Sequence, residues 1–327
     1  MQSETTSDII TNDITKLNTD LLAILLFDRT SRKNIIWGTN DYEDMGSPYA
    51  AGNEITIELI TGTNDKVIQP RVFKASKQKV GRTREKAEVF TPSWICNEQN
   101  NLIDEQWFGR KNVFNSSGGM SWKVTRETIS FAEKGSKTWK KYVDAKRLEI
   151  TCGEAPYLVS RYDAVTGQFI PINERIGLLD RKLRVVNENT EGREAWSKWA
   201  RRAIESVYGY EWQGDNLLIA RWNILSTFIE YYLDRFGEEP DYKNLKEIAL
   251  VISWNLWQMD GFNYAIPFCE SNKEPHQITL SEFYADLGIF DYSILADTRG
   301  QALCKIRDWR MKETVLYKSI VGAIGDE

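Results

Sequence analysis

The sequence predicts an α/β protein: a doubly wound sheet over roughly residues 145–327, led by a small module of mixed β-rich and helical character. Three observations predict it. From Thr91 onward, short β-branched and aromatic runs alternate with segments whose apolar residues recur at helical spacing. That order of strand, turn, helix and strand is what a sheet with crossover helices requires. Hydrophobic residues make up 42% and charged residues 27% of the 327, a composition that builds a large core rather than a disordered chain.

Taken in order, residues 1–13 are polar and expected to fray. Residues 20–27 read as a strand or short buried helix, and turns follow near 30–33 and 38–40. Strand character is clearest at 34–37 and 55–60, where β-branched residues dominate. Together with the basic stretch after them, these form a leading module over residues 1–87, with residues 88–327 as the main domain. Phe90-Thr91-Pro92 opens a helix, because proline is favoured in the first turn. A strand over 147–150 leads into a glycine turn and the segment 157–162. Ile176, Leu179, Leu183 and Val186 then mark one helix, and Trp196, Trp199, Ala203 and Ile204 a second. Both fall in a helical insertion over 163–206. Residues 207–212 are a strand, Asp215 is placed to cap a helix reaching Phe236, and 248–257 is a helix running into a buried strand. Strands at 302–308 and 315–317 close the chain.

Composition narrows the function. The longest uncharged apolar run spans residues 21–27, far short of the ~20 needed to cross a bilayer. The first residues lack the basic and apolar pattern of a secretory leader, so a cytoplasmic location is expected. Four separated cysteines and a single histidine, His276, argue against a zinc site, a histidine triad or a disulfide framework. The net charge is −5, yet residues 69–86 carry Arg71, Lys74, Lys77, Lys79, Arg82, Arg84 and Lys86 against Glu85 alone. Charge reversed against the whole chain marks a candidate DNA phosphate-contacting patch, or a solvated linker. Twelve tryptophans could offer stacking surfaces for bases, or simply fill the core. Asp144-Ala145-Lys146 is the nearest approach to a metal-dependent nuclease triplet, a pattern common by chance.

Chemistry concentrates at strand ends. In RLEITCGEAPYLVSRYD, Glu149 ends a strand and Thr151-Cys152-Gly153-Glu154-Ala155 supplies a turn, expected to lead into a helix. Glu211 ends the strand before the long helix, and Asp260 ends a third strand in ISWNLWQMDGF. Acids at the carboxyl ends of neighbouring strands are where α/β sheets bind nucleotides.

These segments, with the Phe90-Thr91-Pro92 stretch before them, resemble the adenine-specific DNA methyltransferases of restriction-modification systems, over about residues 88–262. Leu148, Cys152, Gly153 and Leu158 match the family's motif in register; Glu149 and Tyr157 are conservative replacements. Ile150, Glu154 and Ala155 depart from its proline, hydroxyl residue and second glycine. The resemblance implies a Rossmann-like fold and S-adenosylmethionine as cofactor. It implies that Phe90, Thr91 and Pro92 flank the methionine end, and that Glu149, Thr151, Cys152, Gly153 and Tyr157 hold the methionine part. Glu211 and Trp212 would hold the ribose side, and Asp260 would face the adenine amine. The separation of Glu149 from Glu211 is about three times the ~20 positions of a simple βαβ unit, which the helical insertion absorbs.

The family's Asn-Pro-Pro-Tyr tetrapeptide, which polarises the flipped adenine amine, has no counterpart. None of the eight prolines is adjacent to another, and Ser47-Pro48-Tyr49 and Ala155-Pro156-Tyr157 are better read as a turn and a helix start. Little chain follows Asp260 for a DNA-recognition domain. The resemblance therefore implies a cofactor-binding subunit, with no catalytic residue of its own. A partner subunit would supply catalysis and target recognition and would bring the chain to double-stranded DNA. The partner is expected at an unpaired edge near residues 302–308. The alternative is a catalytically inactive, methyltransferase-like regulatory protein.

Overall fold

The computed structural model describes residues 18–74, 91–269 and 303–325. Within them the protein is a mixed α/β structure: a three-stranded parallel sheet, two antiparallel hairpins and surrounding helices. Helix α1 (Thr19–Leu26) is capped by the Asn18 side chain, which accepts from the Asp20 amide at 2.9 Å, and buries Leu21, Leu22, Leu25 and Leu26. The strands expected at 34–37 and 55–60 do not form. Only isolated bridges, Phe27 to Asn34 and Ile36 to Glu54, appear there, and α2 (Ile57–Ile60) is a helical turn. The reason is a long-range competitor. The Gln258 side chain accepts from the Ile36 amide at 2.8 Å and donates to the Ile36 carbonyl at 2.8 Å, taking the groups a ladder would use.

Helix α3 (Ser93–Phe108) starts after Pro92, as the sequence suggests, and packs on the hairpin β1 (Asn115–Gly118) and β2 (Ser121–Val124). Helix α4 (Trp139–Asp144) leads into β3 (Arg147–Glu149). The two helical periodicities become α5 (Leu178–Asn189) and α6 (Gly192–Glu205). Strand β4 (Val207–Glu211) is wholly buried, and α7 (Gly214–Phe236), α8 (Tyr242–Asn255) and β5 (Leu256–Gln258) follow. The sheet order is β3-β4-β5 with both pairings parallel, so three carboxyl ends, at Glu149, Glu211 and Gln258, lie side by side.

Three expectations are corrected. No helix follows the glycine turn: residues 156–177 run through turns and a short 3-10 segment, Ile172–Glu174, before α5 begins. Gly177 fixes that course, since a Cβ there would sit 2.4 Å from the Leu158 carbonyl. The strand expected near 302–308 is not an edge of the parallel sheet: β6 (Lys305–Asp308) forms a separate two-stranded hairpin with β7 (Glu313–Leu316) that leads into α9 (Tyr317–Gly325). Asp215 is not the cap of α7; Gln213 holds that position and Asp215 is buried.

One core runs from Leu21 and Trp37 through Val185, Trp196 and Leu218 to Ile252, so the leading residues share it with the main domain. A smaller cluster joins Tyr208, Tyr210 and Trp257 to Ile306 and Tyr317. Trp37, Trp196 and Trp257 are fully buried and are core, not stacking platforms. No helix among the described residues is long and apolar enough to cross a membrane.

Candidate functional site

A cleft of about 760 Å³ opens over the carboxyl ends of the parallel strands, within the range of roughly 300–1,000 Å³ common for small-molecule sites. Residues named from the sequence converge on it: Thr91, Glu149, Thr151, Cys152, Gly153, Tyr157, Glu211, Trp212 and Asp260 all line its wall. Pro92 caps α3 beside it, and Phe90 lies outside the described residues.

The strand ends set the geometry. Glu149 is buried, and its two carboxylate oxygens accept from the Tyr157 amide at 3.3 Å and the Leu158 amide at 3.1 Å. Burial, reinforced by the nearby Glu211 charge, outweighs those two bonds and pushes the Glu149 carboxyl up to about 8. Glu211 accepts from the Gly153 amide at 2.8 Å and from the Gln213 amide at 3.1 Å, which clamps the turn after β3 to the end of β4. Asp260 sits at the mouth. One of its oxygens accepts from the Phe262 amide at 2.8 Å and the other from the Asn263 side chain at 2.5 Å, closing a short turn. Burial also holds the Cys152 thiol well above its ordinary range, so it is a packing group and not a nucleophile.

The turn itself is strained in an informative way. Thr151, Gly153 and Ala155 have φ of 45°, 53° and 64°, all left-handed. Ala155 stands where the methyltransferase motif has its second glycine and adopts a glycine's conformation, at a cost of roughly 1–2 kcal/mol. Glu154, the other departure, works as a clamp: it accepts from the Arg71 amide at 2.6 Å and the Tyr162 hydroxyl at 2.6 Å.

The leading segment backs the wall through Gly38. Trp212 donates its indole N–H to the Gly38 carbonyl at 2.8 Å, and its ring meets Phe268 edge-on at 5.5 Å. Gly38, at φ 71°, has no room for a side chain, since a Cβ would lie 2.6 Å from the Trp212 carbonyl oxygen. Sequence reading missed Asn216, which also lines the cleft and is 1% exposed. Its only sequence signal is its place in the first turn of a helix after a strand-end acid.

Of the basic stretch, Arg71 and Lys74 fall among the described residues, and neither lines the cleft. Lys74 is corrected as a DNA contact: it is 6% exposed, with its ammonium on Asp215 at 2.7 Å and the Tyr42 hydroxyl on the same carboxylate at 2.6 Å. Arg71 is half-buried against Glu154, while Lys77, Lys79, Arg82 and Arg84 lie outside the described residues. Asp144 and Lys146 are engaged with Arg202 and Asp308 rather than with each other. No cluster of metal-ligating side chains occurs among the described residues.

The described residues lining the cleft include three carboxylates and four aromatic rings but no lysine, arginine or histidine. Glu149 keeps its proton up to about pH 8, and the rings offer faces for a flat, stackable group. Comparison with protein-family models, with characterised proteins and with solved structures gives no match for this chain.

Proposed function

We propose that this chain is the S-adenosylmethionine-binding subunit of a split adenine-specific DNA methyltransferase, in a restriction-modification or phage-defence system. What supports the reading above all is the convergence of Glu149, Glu211 and Asp260 on one cleft at the carboxyl end of the parallel sheet. ATP or a dinucleotide would meet repulsion there, whereas a sulfonium-bearing adenosine would be attracted. When bound, S-adenosylmethionine supplies a methyl group activated by its positively charged sulfur.

The residues fit that group. Glu211 is held at the strand end by two backbone amides, the position from which it would face ribose hydroxyls. Glu149 would be ionised by a nearby cation and so return its attraction. Tyr157, Tyr210, Trp212 and Phe262 offer ring faces for an adenine. At the two departures, Ala155 takes up the left-handed backbone a glycine would adopt and Glu154 is held by the Tyr162 hydroxyl. No Asn-Pro-Pro-Tyr equivalent lines the cleft, so in this reading the groups that polarise the target amine come from a partner chain. Strand β3 has no neighbour on its outer side among the described residues, and Leu148 and Ile150 beside it are 44% and 63% exposed. That flank, rather than β6, is the edge a partner's strand would extend. Arg82 and Arg84 remain the proposed DNA contacts of the complex.

The test is equilibrium dialysis with radiolabelled S-adenosylmethionine, followed by methyl transfer to double-stranded DNA with and without the product of the adjoining reading frame. The reading expects saturable binding, no transfer by the chain alone and transfer on adding the partner. Binding that never becomes transfer would favour the inactive regulatory protein; no binding would end both readings.

A further inference from the structure

We propose that residues 109–141 form a surface on which this protein grips the phosphate backbone of duplex DNA. The inference deepens the proposed function by locating that contact, and rests on it for the choice of a duplex over other polyanions.

The segment carries eight basic residues against Glu127 and Glu133 alone, in a chain whose net charge is −5. All eight are exposed. The lobe that presents them is held from beneath by an aromatic cluster, in which Phe131 meets Phe108 at 5.3 Å and Phe114 meets Tyr142 at 5.6 Å. The Ile129 amide donates to Glu188 of α5 at 2.8 Å, and the Thr125 amide donates to the Phe114 carbonyl at 2.9 Å. Cations on so fixed a base lose little freedom when they meet a partner.

The charges are spread over this base. Lys123 and Arg126 follow the hairpin, and Arg110 stands over the Phe108 ring at 5.9 Å while donating to the Ser130 hydroxyl at 3.2 Å. Lys137 lies over the Trp107 ring at 4.7 Å, and Lys140 over Trp139 and Trp199 at 5.6 and 5.7 Å. Rings steady these cations without neutralising them. Among the described residues, only Lys111 of the eight approaches a carboxylate, Glu105 at 3.9 Å, and both partners are exposed, so the pair is weak.

A small anion needs cations that converge on one point. These are strung along a surface, which matches a repeating row of phosphates. Ser117, Gly118, Gly119 and Ser121 at the exposed hairpin tip add hydroxyls and backbone amides, the groups that accompany lysine and arginine at DNA phosphates. A membrane or a protein partner would ask for apolar anchors, and Met120 is the one large apolar side chain of the segment that stands well exposed. Helix α3 begins beside the cleft and ends beneath this lobe, so its 16 residues set the two apart by roughly 24 Å. DNA gripped here is positioned by its backbone, away from the strand ends.

The test is fluorescence anisotropy of a labelled duplex of arbitrary sequence, titrated with the full chain at roughly 50–200 mM salt. Wild type should bind, more weakly as salt rises. Combining Lys134→Ala, Lys140→Ala and Lys141→Ala should lower affinity about tenfold or more and flatten the salt slope by about one for each cation removed. Lys140→Arg with Lys141→Arg should keep both, separating lost charge from lost folding, and urea unfolding of every variant should match wild type. The assignment falls if wild type ignores the duplex at the lowest salt, or if the triple variant keeps affinity and slope. It falls also if polyglutamate at equal charge displaces the labelled duplex as well as unlabelled duplex does, which marks a surface for acidic proteins. Dialysis with S-adenosylmethionine reads the cleft separately: binding there without DNA binding strikes this surface alone, and DNA binding without it strikes the cofactor role alone.

Discussion

Two buried polar regions of this protein are built on opposite plans. Beneath α3 and α5, Arg181 pairs with Asp104 at 2.6 Å and donates to Asn97 at 2.9 Å and Asn101 at 2.8 Å, while Tyr142 donates to the same aspartate at 2.9 Å. Nearby, Arg161 and Arg175 converge on Glu230 at 2.6 Å each. Acid and base are matched there, and the result is scaffold. At the sheet's carboxyl ends, three acids share a cleft with no basic side chain among its described residues. The scaffold's charges are held chiefly by opposite charges, whereas Glu149 at the cleft is held by backbone amides.

The comparison can be broken most forcefully on the scaffold side. Arg181→Ala leaves Asp104 buried without its counter-charge and should cost about 3–5 kcal/mol of stability in urea denaturation. A loss under about 1 kcal/mol would show that the two regions do not differ in kind. On the cleft side ligand affinity joins stability as a readout. Glu211→Gln retains an acceptor for the Gly153 amide but turns its NH2 toward the Gln213 amide, so it should cost about 1–3 kcal/mol of stability. Affinity for S-adenosylmethionine should fall about tenfold, the difference between charged and neutral acceptors for ribose hydroxyls. A large stability loss with unchanged affinity would make Glu211 scaffold too.

Proton linkage sharpens the contrast further. Glu149 titrates near 8 in the fold against an ordinary 4.5. Its raised value means that the folded state binds the proton more tightly, so its contribution to stability is full below pH 4.5 and is lost as pH climbs through about 8. A cationic ligand prefers the ionised form, so affinity for S-adenosylmethionine should rise by up to about tenfold per pH unit toward 8 and then level off. Glu149→Gln should flatten both profiles, measured by denaturant unfolding and by calorimetry. The smallest effect belongs to the turn: Ala155→Gly removes left-handed strain and should add about 0.5–1 kcal/mol of stability with little change in affinity.

Much of this was legible in the sequence, and the reasons are local. The apolar spacing of Leu179, Leu183 and Val186, and of Trp196, Ala203 and Ile204, produces the two helices it predicts. Glu149 and Glu211 share one end of the sheet because parallel strands align their carboxyl ends, whereas Asp260, expected to end the third strand, lies in the turn two residues past it. What was not legible depends on partners distant in sequence. Gln258 takes the backbone groups of Ile36 that a strand would have used, Asp215 draws Lys74 out of a basic run into the interior, and Gly177 against Leu158 delays the helix after the glycine turn.

The central claim is that the cleft selects a cationic adenosine over a phosphorylated one. Calorimetric titration of the chain with S-adenosylmethionine and, separately, with ATP tests it directly. The account predicts one saturable site for S-adenosylmethionine, abolished by Glu211→Ala, and no detectable heat from ATP. Binding of ATP in preference, or silence with both ligands, would contradict it.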